Sequence, residues 1–225
     1  MTKTLITSAQ LRALSPKCEA DLIAPELDRA CRARSINTDR RLRHFLAHIA
    51  HESLGFTRLV EDLTYRSAER IRAVWPRRFP TIASARPFVR NPRALAEKVY
   101  GGRLGNSAPG DGYRYRGGGF IMNTGKANFV EASAHSGRDL VAEPELLRSY
   151  PVAADAAAGF WFMNGLNRIV DADNDEVIVA TFAEHLARNE ADDLVDGTVR
   201  INGGRIGLED RRVWLRRAGA IWSEL

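Results

Sequence analysis

Residues 38–65 read TDRRLRHFLAHIAHESLGFTRLVEDLTY, and the reading of this stretch decides the fold. Leu42, Phe45, Leu46, Ile49 and Ala50 recur at helical spacing, because about 100° of rotation per residue brings positions three and four apart onto one face. Thr38 can cap the first turn, and Asp39 complements the positive end of the helix dipole. A helix over about 39–53 is therefore predicted, with one apolar stripe turned to a core. Glu52 falls at the border of that stripe, near the helix end. Partial burial there disfavours the charged form of a carboxyl, which suits a group that must hold a proton. Glu61 follows nine residues later, beyond the break at Gly55. One acid on a helix and one beyond its turn can face each other across a cleft.

The helical pattern extends in both directions. Thr7-Ser8-Ala9-Gln10 has the form of a capping box before a short helix. An amphipathic stretch covers 19–34, with Pro25 expected to kink it or to separate two turns. Short helices are predicted over 67–75, ended by Pro76, and from Asn91-Pro92 to about Tyr100. Further helices are predicted over 125–134, 152–164, 175–188 and 208–223, with an acidic turn at 189–197. The least helical part is 101–120, GGRLGNSAPGDGYRYRGGGF, whose glycines and aromatics read as loop or short strand. No internal repeat, low-complexity tract or linker divides residues 1–225. The expectation is a single, mainly α domain with two lobes. The glycine-rich middle lines a groove between them, and residues 1–37 add an N-terminal helical part.

Two carboxyls across a groove match the needs of glycosidic-bond hydrolysis. One is kept protonated to donate to the leaving oxygen, and one is ionised to activate water or attack. A metal site competes for the same residues. His44, His48 and Glu52 recur every four residues, and two histidines at that spacing can bind zinc. The chain lacks His-Glu-x-x-His, however, and nothing places His135 or His185 nearby. No metal and no organic cofactor are expected. His48 or His51 is expected to hydrogen-bond a carboxylate instead. Cys18 and Cys31 fit neither Cys-x-x-Cys nor a zinc ribbon, so buried free thiols are the default.

The surrounding residues carry a resemblance. His51-Glu52-Ser53 with Gly55-Phe56, then Leu59-Val60-Glu61-Asp62-Leu63-Thr64-Tyr65, resembles the catalytic region of glycoside hydrolase family 19. That family holds chitinases and the chitinase-like lysozymes of phage endolysins. Ala96–Tyr100 with Arg103–Asn106 resembles the segment before the endolysin glycine loop. Gly110–Gly117, Ile121, Thr124-Gly125 and Asn128-Phe129 are similar to its substrate-binding strand and loop. Ile201-Asn202-Gly203-Gly204, Gly207-Leu208 and Asp210-Arg211-Arg212 are similar to its C-terminal signature. The resemblance spans about 38–222 and implies a lysozyme-like fold and an inverting mechanism. By it, Glu52 is the general acid, Glu61 the general base, and Thr124 holds the attacking water; Thr124 is also a candidate N-cap for the helix that follows. Tyr115, Arg116, Met122, Asn123 and Asn202 become the candidate substrate-binding residues, with Tyr115 stacking on a sugar and Asn202 bonding an N-acetyl group. The family loop usually reads Arg-Gly-Arg-Gly-Leu-Ile-Gln-Leu-Thr-Gly. Here Gly118 replaces an arginine and Met122 a substrate-contacting glutamine. A thioether offers only a weak acceptor, so recognition at one subsite is expected to differ.

Composition sets the remaining bounds. The chain has 225 residues, 44% hydrophobic and 27% charged, with a net charge of +5. It has no apolar run long enough to span a bilayer, so no stable membrane insertion is expected. A basic balance favours an anionic partner. Charge alone also admits nucleic acid, but no zinc-finger, basic-zipper or RNA-recognition motif accompanies it, and nucleic acid is not expected. Arginine pairs such as Arg40-Arg41, Arg211-Arg212 and Arg216-Arg217 read as solvated helix faces. Peptidoglycan is the favoured substrate and chitin the alternative. A non-catalytic wall-binding relative is the alternative of another class, made conceivable by Gly118 and Met122. The N-terminus lacks a secretory signal pattern. The expectation is a monomer made in a bacterial cytoplasm, which reaches the wall through a holin or a secretion machine.

Overall fold

In the computed structural model, which describes residues 4–172, 174–175 and 207–223, several helices begin at capping side chains. Helix α1 (Ser8–Leu14) opens on Thr7, whose hydroxyl accepts from the Gln10 N–H while the Gln10 side chain accepts from the Thr7 N–H. Helix α2 (Ala20–Ala33) runs through Pro25 without dividing. The hydrogen bond that Pro25 removes is offset by burial of Ile23, Ala24, Leu27, Ala30 and Cys31 on one face, where each large apolar side chain contributes about 1.5–3 kcal/mol. Helix α3 (Asp39–Glu52) opens on Thr38, which accepts from the Arg41 N–H. Ser67 caps α4 (Ala68–Val74), Thr81 caps α5 (Ile82–Ala85), and Asn91 caps α6 (Pro92–Tyr100). Pro92 sits at the first helical position, where a missing N–H costs nothing.

The glycine-rich stretch is not all loop. Asp111–Arg114 forms a single helical turn, α7, because the buried Asp111 carboxylate accepts from the Ser107 and Ala108 N–H groups and folds the chain back. Downstream lie α8 (Lys126–Ser136), α9 (Tyr150–Met163), α10 (Leu166–Ala172) and α11 (Leu208–Gly219). The N-cap of α8 is Gly125, with no side-chain cap, so Thr124 does not have the capping role open to it in the sequence. Most of the predicted helix over 175–188, the acidic turn at 189–197 and the block 201–204 lie outside the described residues.

Two apolar cores give the chain its lobes. The larger joins α1, α2, α3, α9, α10 and α11 around Leu27, Phe45, Ile49 and Trp161, with Phe45 edge-on to Trp161 at 5.5 Å between ring centres. A smaller one joins α4, α5 and α6 through Leu63, Ile71, Phe79, Leu95 and Val99. A third cluster, around Phe129, Leu140 and Leu147, lies beneath α8. Gly159 lets α8 and α9 approach, since a Cβ there would stand 2.7 Å from the His135 carbonyl oxygen. Among the described residues, β pairing amounts to two isolated bridges, Val60 with Gly118 and Gly118 with Asn123. No described helix is long and apolar enough to cross a membrane.

Candidate active site

The turn after α3 aims the chain from the large lobe toward the small one. Leu54, Gly55 and Phe56 all take positive φ, 50°, 68° and 63°. Such a run persists only when its surroundings over-determine it. The buried Ser53 hydroxyl donates to the Ile49 carbonyl and accepts from the Phe56 N–H, and the Ser15 hydroxyl donates to the Gly55 carbonyl at 2.7 Å. A Cβ on residue 55 would stand 2.6 Å from Ser15 Oγ, so glycine is required there. The chain then pairs with the glycine loop: the Glu61 N–H donates to the Gly117 carbonyl and the Gly119 N–H to the Leu59 carbonyl.

This pairing fixes Glu61 at the seam between lobes. The Tyr100 hydroxyl, from the end of α6, donates to Oε1 at 2.7 Å, and the Gly117 N–H donates to Oε2 at 3.2 Å. Burial pushes the Glu61 carboxyl above its ordinary value, against the Tyr100 hydroxyl, the Gly117 N–H and the positive charges of Arg116 and Arg58. A Cβ on residue 117 would stand 3.3 Å from Thr124 Oγ1 and 3.5 Å from Glu61 Oε2, so one small residue keeps the hydroxyl and the carboxylate around a common corner. The Thr124 hydroxyl donates to the Met122 carbonyl at 3.1 Å, which leaves its lone pairs to accept.

Glu52 closes α3 in the other lobe. It is half-buried, as the helix pattern predicts, but a charged partner stands against it. The Arg211 guanidinium from α11, 4% exposed, contacts Glu52 Oε1 through one terminal nitrogen, and its other terminal nitrogen lies 3.4 Å from His48 Nδ1. His48 is buried, and that burial, with the Arg211 charge next in weight, holds its imidazole well below the ordinary range. A neutral His48 therefore presents Nδ1 as an acceptor to Arg211. His51 meets Asp210 at 2.6 Å, and Trp214 donates to the same carboxylate oxygen. Of the histidines expected to bond a carboxylate, His51 does so with Asp210, and His48 is joined to Glu52 through Arg211. Among the described residues no group of three potential metal ligands is present.

No protein-family model matches the chain. A glycosyl hydrolase family 19 domain-containing protein of Haemophilus influenzae is 32% identical over 170 residues, covering 74% of this chain and 72% of the relative. The chain belongs to glycosyl hydrolase family 19. It is a glycoside hydrolase with the lysozyme-like helical fold. Chitinase C from Streptomyces griseus superposes with a TM-score of 0.57 at 20% identity, over 99% of this chain and 78% of that one. A bacterial family 19 chitinase gives 0.54 at 18% identity, over 98% and 96%.

Against the family pattern, the structure rearranges the groove residues. Tyr115 is 3% exposed, lies edge-on to Phe129 and donates its hydroxyl to the Val141 carbonyl. It is a core residue, and its ring is not the sugar platform expected of it. Asn123 is also buried, and its amide donates to the Gly118 carbonyl, so it ties the 118–123 hairpin together and does not line the groove as expected. Met122 is half-buried at φ 50°, outside any strand. Its carbonyl, not its side chain, is what Thr124 holds, so loss of the family's glutamine leaves that anchor in place. Arg116 donates to the Tyr113 carbonyl at 2.9 Å and stays within electrostatic reach of Glu61. Asn202 lies outside the described residues.

Two residues of the site escape the sequence reading. Tyr100 carries no local signal beyond its place at the end of a helix. Arg211 is counted among solvated arginine pairs, yet Arg211, Leu215, Ala218 and Trp222 lie four, three and four residues apart. An arginine on an apolar stripe is the signal that marks it.

Proposed function

We propose that the protein hydrolyses the β-1,4 bonds between amino sugars of peptidoglycan, with inversion. The observation that carries the chemistry is the corner where Glu61 Oε2 and Thr124 Oγ1 flank Gly117. A water there gives one hydrogen bond to each oxygen and turns a lone pair to the anomeric carbon. As its oxygen bonds to that carbon, Glu61 takes its proton. The glycosidic C–O bond breaks on the opposite face, and the leaving oxygen takes a proton from Glu52. Because Arg211 occupies Glu52 Oε1, the proton is delivered from Oε2. Inversion calls for carboxyls roughly 6.5–9.5 Å apart, to leave room for water.

The basic balance of +5 supports an anionic wall polymer as substrate. Chitin is the second reading, favoured by the two solved chitinases of like fold. The deciding experiment digests purified peptidoglycan and chitin oligomers with wild type and Glu52→Gln. Disaccharide-repeat fragments from peptidoglycan as α-anomers, at least about a hundredfold slower in the variant, are the expected result. Fragments from chitin alone give the second reading, and β-anomers sink the inverting mechanism.

Tyr100 offers a separate test of the base. Glu61 must be ionised to accept a proton, so activity rises with pH through its pKa. Tyr100→Phe removes the largest of the contacts that hold that pKa down. The acidic limb of kcat/KM is expected to move to higher pH, with the plateau retained. An unmoved limb would mean that another group controls it.

A further inference from the structure

Arg93, Arg116 and Arg148 gather around Tyr113, beside the Glu61 corner. The Arg116 and Arg93 guanidinium carbons lie 4.1 Å and 4.7 Å from the centre of the same ring, Tyr113. Arg114 donates to the Val141 and Ala142 carbonyls. Arg148 donates to the Arg114 carbonyl at 3.4 Å, so its guanidinium reaches the same turn. Its side chain is only 10% exposed, and its buried Nε makes no hydrogen bond among the described residues. Burial first, and the Arg116 charge second, push the Arg148 guanidinium down to about 10. Arg116 also acts on Glu61, so the cluster begins within electrostatic reach of the candidate base.

Like charges in a partly dry corner repel, and something must offset that cost. Arg148 contacts the carboxylate of Glu145, three residues earlier and 71% exposed. The Glu145 carboxylate is itself largely solvated, so it offsets that cost only in part. The guanidinium fork is shaped for a carboxylate held by two parallel hydrogen bonds. Leu147 packs over Gly118 and Gly119, so the backbone that bears Arg148 is anchored to the glycine loop itself.

We propose that Arg148, with Arg116 and Arg93 around Tyr113, forms a subsite for a carboxylate carried as a substituent on the glycan. The proposal rests on the peptidoglycan reading, since chitin carries no such group. The carboxylate has two sources in that polymer, the lactyl ether of the muramyl sugar once its peptide is removed, and the acidic residues of the peptide itself.

The test measures KM of the full chain on peptide-bearing strands, on peptide-stripped strands, and on both after capping their carboxylates as methylamides. Wild type is expected to prefer charged strands over capped ones. Arg148→Gln should reduce that preference about tenfold, the size of a charge-assisted hydrogen bond, and Arg148→Lys should recover part of it. The strand type that shows the loss names the source. An unchanged preference in Arg148→Gln, with wild type cleaving the strands, overturns the subsite alone. Wild type cleaving chitin oligomers and neither strand type overturns the peptidoglycan reading instead. If Arg148→Gln fails to fold, the exposed Arg93 carries the test: Arg93→Gln should lower the preference, and an unchanged one overturns the proposal.

Discussion

Glu61→Gln is expected to lower turnover by about 10²–10⁴-fold, the usual contribution of a positioned general base, and to leave the fold intact. The side chains are isosteric, and the amide oxygen can still accept from the Tyr100 hydroxyl. What the amide lacks is a site for the proton of the attacking water. Substrate binding should survive, because the loss falls on an interaction made only in the transition state. The expected signature is therefore a collapse of kcat with KM nearly constant. Thr124→Val in the same assay should cost less, since it removes an acceptor for the water but not the proton sink. A Glu61→Gln protein retaining most of its kcat would transfer the base role to another group. Retained kcat in Thr124→Val would leave Glu61 alone at the corner.

How much of this was legible depends on the range of each interaction. Caps act within four residues, so Thr7, Thr38 and Asn91 announce their helices directly. Glu52 and Glu61 could be read as a pair because a single turn separates them in the chain. Tyr115 was misjudged because an aromatic beside glycines looks the same whether it lines a groove or fills a core. Only the placement of Phe129 and Val141, well downstream, decides between them. Asn123 ties the hairpin because its amide reaches back to the Gly118 carbonyl across a turn through a left-handed Met122, a closure that no residue-by-residue reading shows. The charged partner of Glu52 went unread for a similar reason. Its partner arrives from a helix 159 positions away, and local periodicity carries no trace of it.

That partner yields the second large effect. Arg211→Met should destabilise the protein by about 3–5 kcal/mol, because removing one member of a buried pair leaves the other without compensation. For a chain of this size the melting midpoint should fall by roughly 10 °C. The pair is well suited to so large an effect: the two side chains are 4% and 17% exposed, and the guanidinium is also shared with His48. Turnover should drop about a hundredfold as well, since a carboxyl displaced by about 1 Å loses its line to the glycosidic oxygen. Stability and activity part company in the double variant. With Glu52→Gln added, the buried charge is gone, and the midpoint should recover most of the loss while turnover stays down. Glu52→Gln alone should melt close to wild type, because its amide oxygen still accepts from Arg211. A melting midpoint for Arg211→Met equal to wild type would show that α11 is held to α3 by other contacts. The candidates would be His51 with Asp210, and Trp214 over Gly55. In that case Glu52 must be oriented by the substrate and not by the fold.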